Sequence, residues 1–256
     1  MGTALFDLSG QVALITGSSR GIGKSIAEEM AKGGAKVVIS SRKQNACEAV
    51  RDEIRAQGGD AIAVTCNIGH QEEVAALVKT TLDHYGRIDI LVANAAVNPN
   101  YGPLHQLSDE AWDKIMVSNV KSSWWFCKRV LPHMAERGSG NVILLSSITA
   151  FKANAVIGAY GISKAAEAHL ARNLALEWGP KGIRVNAIAP GLVKTDFAKA
   201  LWSNPQTLKN VEQRSPLRRI GQPIDIAGVA VFLASAAASF VTGQVIVADG
   251  GATLGD

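Results

Sequence analysis

Tyr160 and Lys164 stand four residues apart in the run YGISK, and Ser147 lies thirteen residues before the tyrosine. On a helix, residues at this spacing share a face, so the Lys164 ammonium can lie beside the Tyr160 phenol. A phenol ionises near about pH 10, and a neighbouring cation favours the phenolate. Lys164 is therefore expected to lower the Tyr160 pKa toward the range where proton exchange is efficient. Such a pair alone is common on solvated helices; its weight comes from its partners. The same chain carries TGSSRGIG at 16–23. Gly17, Gly21 and Gly23 permit a tight turn after an apolar run, with Ser19, Arg20 and Ile22 completing it. The following helix then offers free N–H groups and a positive dipole end to a pyrophosphate. Taken together, these residues point to hydride exchange with a nicotinamide cofactor, the tyrosine handling the proton.

The second apolar run ends Ile39-Ser40-Ser41-Arg42, and no Asp or Glu occurs from Met30 through Cys47. A cofactor with a free ribose 2′-hydroxyl usually meets an acidic side chain at this place. Arg42 instead offers a planar fork suited to phosphate, with Arg20 and Ser41 nearby. The expectation is a 2′-phosphate site, hence NADP(H).

The elements that must position these residues alternate along the chain. Strands are predicted at 11–16, 35–40, 60–65, 88–93, 140–146, 182–188 and 244–248. Helices are predicted at 22–33, 44–57, 71–85, 109–137, 158–179 and 222–236. This β-α alternation predicts an α/β Rossmann fold, a single doubly wound domain over 1–256 with a seven-stranded parallel sheet and helices on both faces. No linker, repeat or low-complexity tract interrupts it. The least regular stretch, 192–218, follows the sixth strand at the carboxyl edge where ligands bind, and is read as a substrate lid. Its Leu192, Phe197, Leu201 and Trp202 suggest an apolar pocket completed by Ser147 and Tyr160. Trp124 and Trp125, mid-helix, are expected in a core or a subunit interface.

Composition narrows the class. The 256 residues are 47% hydrophobic and 19% charged, with a net charge of +4 and no basic block, so the chain can bury a sizeable core and nothing marks a nucleic-acid surface. Cys47, Cys66 and Cys127 form no C-x-x-C motif and read as reduced thiols in an intracellular setting. No histidine cluster indicates a metal site. The start MGTALFDLSG lacks the features of a signal peptide, and no run approaches a membrane span. The expected location is cytoplasmic, without membrane or nucleic-acid partners.

With TGSSRGIG, ANAA at 93–96, Asn119, Ser147, YGISK and APG at 189–191 in order, the chain resembles the short-chain dehydrogenase/reductase family. The likeness runs from about residue 8 to 251. It implies a tetrad of Asn119, Ser147, Tyr160 and Lys164. Ser147 would hydrogen-bond the carbonyl oxygen, Tyr160 donate the proton, and Lys164 lower the phenol pKa while holding the nicotinamide ribose. Asn119 would support a water leading protons to Lys164. It further implies that Asn94, Ala95 and Ala96 lie along the cofactor, and that Pro190, Gly191, Val193 and Thr195 cradle the nicotinamide. Asn67, followed by Ile68, stands where the family often has an aspartate near the adenine. Ala93 and Ala96 replace the common Asn and Gly of N-N-A-G. The runs SSRKQ at 40–44 and ANAAVNP at 93–99 look like those of NADPH-dependent carbonyl and retinal reductases, but the chain ends TLGD without a peroxisomal S-K-L-like address.

The expected activity is NADPH-dependent reduction of a ketone or aldehyde to an alcohol, reversible, by a homotetramer acting on a small molecule. One alternative is a 3-oxoacyl-thioester reductase acting on an acidic carrier protein or coenzyme A, with Arg137 and Lys181 as basic contacts. Another is a cofactor-binding regulatory or scaffold protein without turnover.

Overall fold

The computed structural model describes residues 4–254; Met1–Thr3 of the opening segment and Gly255–Asp256 of the TLGD ending lie outside the described residues. Seven parallel strands form one sheet in the order β3-β2-β1-β4-β5-β6-β7. They are β1 (Val12–Thr16), β2 (Lys36–Ser40), β3 (Ala61–Ala63), β4 (Ile90–Ala93), β5 (Gly140–Leu145), β6 (Ile183–Pro190) and β7 (Val245–Ala248). Every residue of β1 and β4 is buried. This fits parallel strands covered by helices on both faces, and explains why they read as unbroken apolar runs.

Helices α1 (Gly21–Lys32), α2 (Gln44–Ala56) and α9 (Pro223–Ala234) pack on one face around Ile26, Met30, Val50, Ile226 and Leu233. On the other face lie α3 (Gln71–Tyr85), α5 (Ser122–Glu136) and α6 (Gly158–Trp178), joined through Leu77, Phe126, Val130 and Leu174. The strand order reverses between β1 and β4, each a neighbour of the other but leading to opposite halves of the sheet. Ligands in such sheets bind outside the carboxyl ends of the strands at this reversal.

Two expectations change. The helix predicted over 109–137 is broken into α4 (Asp109–Ile115), a π-helical turn (Met116–Lys121) and α5. The wider turn holds Asn119, whose side chain is fully engaged across the fold, as described below. The stretch 192–218 is also more regular than expected. It contains α7 (Lys199–Trp202) and α8 (Pro205–Arg214), the latter started by Asn204, whose side chain accepts from the Thr207 N–H at 3.0 Å, and by Pro205 at the first helical position.

Candidate active site

The turn after β1 is built by close approach. Gly17 has φ +66°, and a Cβ there would lie 2.9 Å from Asn94 Nδ2; at Gly23 it would lie 2.5 Å from both Asn94 Nδ2 and the Gly17 carbonyl oxygen. Asn94 fastens this turn to the end of β4: its Nδ2 donates to the carbonyls of Thr16 at 2.8 Å and Gly17 at 3.2 Å. The N–H groups of Asn94 and Ala95 both donate to Thr16 Oγ1 at 3.0 Å. The start of α1 has neither a side-chain cap nor an acidic residue in its first turn. Its uncapped N–H groups, beside glycines that leave the backbone bare, fit the pyrophosphate of a dinucleotide.

At the end of β2, Arg42 is exposed. The Ser41 hydroxyl lies 3.1 Å from Cys47 Sγ. Arg20 pairs with Asp196 of the 192–218 segment at 3.5 Å, both side chains 68% exposed. Asn67 Oδ1 accepts from the Gly69 N–H at 3.2 Å, and the Asn67 N–H donates to Glu73 at 2.7 Å.

The chemistry-bearing residues gather beyond β5. Ser146 is buried and donates to the Lys164 carbonyl at 2.7 Å, which ties the end of β5 to α6. Ser147 caps the short turn Ile148–Ala150, accepting from the Thr149 N–H at 3.2 Å, and its side chain lies close enough to Tyr160 to favour the phenolate. Lys164 is 2% exposed. Its Nζ donates to the Leu145 carbonyl at 2.6 Å and to Glu167 Oε2 at 2.5 Å, and lies 5.5 Å from the Tyr160 ring centre. An ammonium has three donors, so one remains for a further partner.

Asn119 Oδ1 accepts from the Val97 N–H at 2.8 Å, while Nδ2 donates to the Val97 carbonyl and to Ser163 Oγ, each at 3.0 Å. Ser163 in turn donates to the Tyr160 carbonyl at 2.7 Å. Asn119 thus clamps the loop after β4 to α6.

Charge in this cluster differs from the expectation. Burial pushes the Tyr160 phenol above its ordinary value; Lys164 and the Ser147 hydrogen bond oppose this, while Glu167 and Tyr101 add to it. A neighbouring cation was expected to lower the phenol, but here desolvation outweighs it. Burial acts to lower Lys164, yet the Glu167 carboxylate and the phenol together hold it above its ordinary value. Burial raises Glu167, opposed by Lys164 and by the Ser123 hydroxyl. The Cys127 thiol, buried beside Glu167, is pushed up to about 12. All three cysteines are free and buried.

The segment after β6 reaches over both ends of the site. Val193 bridges to Gly221, and a Cβ on Gly191 would meet Asp249 at 2.8 Å. A Cβ on Gly21 would lie 3.3 Å from Thr195 Cγ2, and the Phe197 ring sits 6.0 Å from that of Tyr160. Trp202 braces the segment: its indole N–H donates to the Thr195 carbonyl at 2.7 Å, and Lys194 lies over its ring. Beside Tyr160, a small cleft is lined by Asn98, Asn100, Leu104, Val156 and Ile157. These wall residues, and Glu167, Ser123 and Ser163 beneath the site, escape a reading by motif. A signal for Glu167 was present, as an acidic residue one turn beyond Lys164.

Other expectations resolve as structure. Arg137 donates to the Ile88 carbonyl at 2.6 Å and to Asp89 at 3.3 Å. Trp125 is buried, whereas Trp124 is 42% exposed with Lys128 over its ring. Among the described residues there is no cluster suited to a metal and no helix long and apolar enough to cross a membrane.

Fold and site together define a doubly wound dinucleotide-binding oxidoreductase. A family model described as enoyl-(acyl carrier protein) reductase matches residues 17–253. The protein named dehydrogenase/reductase SDR family member 4 from Oryctolagus cuniculus is 44% identical over 245 residues, covering 96% of this chain and 94% of that one. Among solved structures, a gluconate 5-dehydrogenase from Burkholderia cenocepacia in complex with NADP and tartrate superposes with a TM-score of 0.95 at 33% identity, covering 99% of both chains. A 7 alpha-hydroxysteroid dehydrogenase, complexed with NADH and 7-oxo glycochenodeoxycholic acid, does so at 0.94 and 39% identity, covering 98% of this chain and 97% of that one. The chain belongs to the short-chain dehydrogenase/reductase family, whose members use a nicotinamide cofactor.

Proposed function

We propose that the protein is an NADPH-dependent reductase of ketones or aldehydes, working reversibly toward alcohol oxidation. The observation that carries this reading is the span of the segment after β6: within three residues it touches the glycine turn through Thr195 and the Tyr160 ring through Phe197. A cofactor held at the turn and a carbonyl held at Tyr160 would therefore lie under one cover. The bound nicotinamide supplies the hydride.

The chain supplies everything else. Ser147 and Tyr160 would offer two hydroxyls to one carbonyl oxygen. Donors placed before the reaction stabilise the negative charge that develops there, because no reorganisation is needed when it forms. Tyr160 then gives up its proton. A phenol holds its proton at neutral pH, which suits the reducing direction. Lys164 offsets the charge left on the phenolate, and its remaining donor is available to a ribose hydroxyl. Asn119 holds the loop after β4 against α6 and so fixes the height of Tyr160. The Phe197 ring covers the phenol and excludes water. Leu192, Leu201 and Trp202 extend this apolar cover, which favours a carbonyl with a hydrophobic substituent.

The preference for NADPH rests on Arg42 at the end of β2, in a stretch without Asp or Glu from Met30 through Cys47. Cytoplasmic location and assembly as a homotetramer complete the reading. It is tested by following NADPH consumption with β-ketoesters, aryl ketones, diketones, retinal and acetoacetyl thioesters, using the native protein and Tyr160→Phe. Turnover should fall by about 10²–10⁴-fold in the variant, with thermal unfolding unchanged. A folded Tyr160→Phe protein with near-native kcat refutes the role given to the phenol.

A further inference from the structure

The cleft beside Tyr160 has walls of two kinds. Leu104, Leu107, Ile115, Val156 and Ile157 are apolar, whereas Asn98 and Asn100 bring two carboxamides. No Lys, Arg or His lines it. A carboxamide carries two N–H donors and an acceptor oxygen. Other asparagines around the site spend these groups within the fold. Asn94 fastens the glycine turn, Asn119 clamps Val97, and Asn154 Oδ1 accepts from the Val156 and Ile157 N–H groups at 2.9 and 3.2 Å. Among the described residues, the side chains of Asn98 and Asn100 have no such partner.

Their placement is nonetheless fixed. Asn98 follows Val97, whose N–H and carbonyl are both held by the Asn119 side chain, at 2.8 and 3.0 Å. Asn119 also donates to Ser163, and Ser163 to the Tyr160 carbonyl at 2.7 Å. A run of hydrogen bonds thus ties the backbone before Asn98 to the helix that carries the phenol. Pro99 keeps Asn98 in extended backbone, where residues two apart face the same side, so Asn100 joins it on the cleft. Further along the loop, the Gly102 N–H donates to the Val156 carbonyl at 2.8 Å and fastens this wall to the opposite one.

We propose that Asn98 and Asn100 are specificity-determining residues: they hydrogen-bond a second, uncharged oxygen function of the substrate while its reacting carbonyl is held at Tyr160. The inference rests on the reading of the protein as a carbonyl reductase, and it narrows the substrate class. Water can satisfy two half-exposed carboxamides in the free protein. A substrate seated against them displaces that water. One that offers no polar atom there leaves the amides unpaired, and an unpaired polar group costs more than a formed bond gains. A carboxylate fares no better, because its charge would leave water for a wall without a cation. An ester or amide oxygen can accept from an amide N–H, and a hydroxyl can donate to an amide oxygen. The favoured substrate is therefore a small ketone or aldehyde with an ester, amide or hydroxyl group a few bonds from the reacting carbon, rather than a long hydrocarbon aldehyde or a keto acid.

Three ketones test this at saturating NADPH and neutral pH: ethyl acetoacetate, heptan-2-one, in which methylene groups replace the ester linkage, and acetoacetate. Each is given to the native protein, to Asn98→Leu and to Asn100→Leu; leucine is close to asparagine in size and cannot hydrogen-bond. The ester is intrinsically more reactive than heptan-2-one. The readout is therefore the ratio of their kcat/KM values in each variant relative to the native ratio, in which that difference cancels. The ratio should fall about two- to tenfold for each carboxamide removed, the worth of one hydrogen bond. Most of the change should lie in KM, since the bond is made before hydride transfer as well as during it. The native protein should also reduce acetoacetate less efficiently than its ethyl ester. An unchanged ratio in both variants overturns the proposal, and this includes equal losses with both ketones, the mark of a loop that has merely loosened. A native preference for acetoacetate overturns it too, because it would require a cation in the cleft. Where leucine prevents folding, Asn98→Ala and Asn100→Ala supply the same ratio. A native protein that reduces none of the three ketones refutes the carbonyl-reductase reading itself, and this proposal with it.

Discussion

Cofactor choice is the sharpest quantitative consequence of the end of β2. NADPH differs from NADH by one phosphate, and in the function proposed above Arg42 is the cation that meets it. A charge-assisted hydrogen bond is worth about 1.5–3 kcal/mol, but Arg42 is exposed, and exposed ion pairs are worth only about 0.2–1 kcal/mol. A two-pronged arginine–phosphate contact at a surface should fall between these, near about 1.5 kcal/mol, which is roughly tenfold in kcat/KM. Arg20 does not simply double that figure, because it is drawn to Asp196 at 3.5 Å. To reach the phosphate it must first leave that partner. Arg42→Ala should therefore lower kcat/KM for NADPH about tenfold and leave NADH nearly unchanged. Asp196→Asn, which releases Arg20, should raise the NADPH value by up to a few-fold. Adding Ser41→Asp to Arg42→Ala places a carboxylate where a free ribose diol would sit, and should move the preference toward NADH. All three variants are compared with both cofactors at one pH and one ionic strength, since salt screens exposed charges over about 10 Å at 0.1 M. Equal losses with NADPH and NADH in Arg42→Ala, or no loss with either, would refute the assignment of Arg42 to the phosphate.

Three further outcomes follow from the packing. Gly23→Ala places a methyl group 2.5 Å from the Gly17 carbonyl, which cannot swing aside; overpacking of this kind costs about 1–3 kcal/mol, so Tm should drop by several degrees and NADPH binding should weaken, both measured by thermal shift. Asp225 accepts from Arg219 at 2.6 Å and from the Gln222 N–H at 2.7 Å at the start of α9, and these bonds, the arginine's first, hold its pKa below the ordinary value. Its stabilisation is then present above the unfolded-state pKa and lost as pH falls through the folded one, so Asp225→Asn should cost about 1 kcal/mol at neutral pH, less after solvent screening, and nothing once the native carboxylate is protonated in acid. For assembly, Met116, Val117, Val120, Trp124 and Leu170 line an apolar surface recess between the π-helical turn, α5 and α6; light scattering should report a tetramer, and a monomer across micromolar concentrations would contradict it.

Much of the architecture was legible because parallel strands buried on both faces read as unbroken apolar runs. β1, β4 and β5 stand out for that reason. The glycine turn was legible because its constraint is local: at Gly17 the backbone takes φ +66°, and at Gly23 no Cβ fits. The break at 116–121 was not legible. No glycine or proline interrupts MVSNVK, and the wider turn is accompanied by Asn119 bonds to Val97 and Ser163, residues 22 and 44 positions away. A helical periodicity cannot reveal such partners. Arg20 has a partner that its sequence neighbours do not show: Asp196, 176 positions on, pairs with it at 3.5 Å.

The Tyr160 phenol shows where charge patterning alone goes astray. Reading along α6, one sees a tyrosine with a lysine four residues later and infers a lowered pKa. That inference counts one charge and assumes water around it. In the fold, Lys164 is buried and Tyr160 partly so, and Glu167, a further turn along the same face, acts on the phenol against Lys164. Desolvation then becomes the largest effect, and it acts in the other direction. The spacing of Tyr160, Lys164 and Glu167 is visible in the sequence as positions i, i+4 and i+7 of one helical stripe. What the spacing cannot carry is the depth of that stripe. On a solvated helix the same three residues would form a weak surface pair beside an ordinary phenol. Packed against α5 through Ser123, the lysine and the glutamate form a buried ion pair beside a partly buried tyrosine.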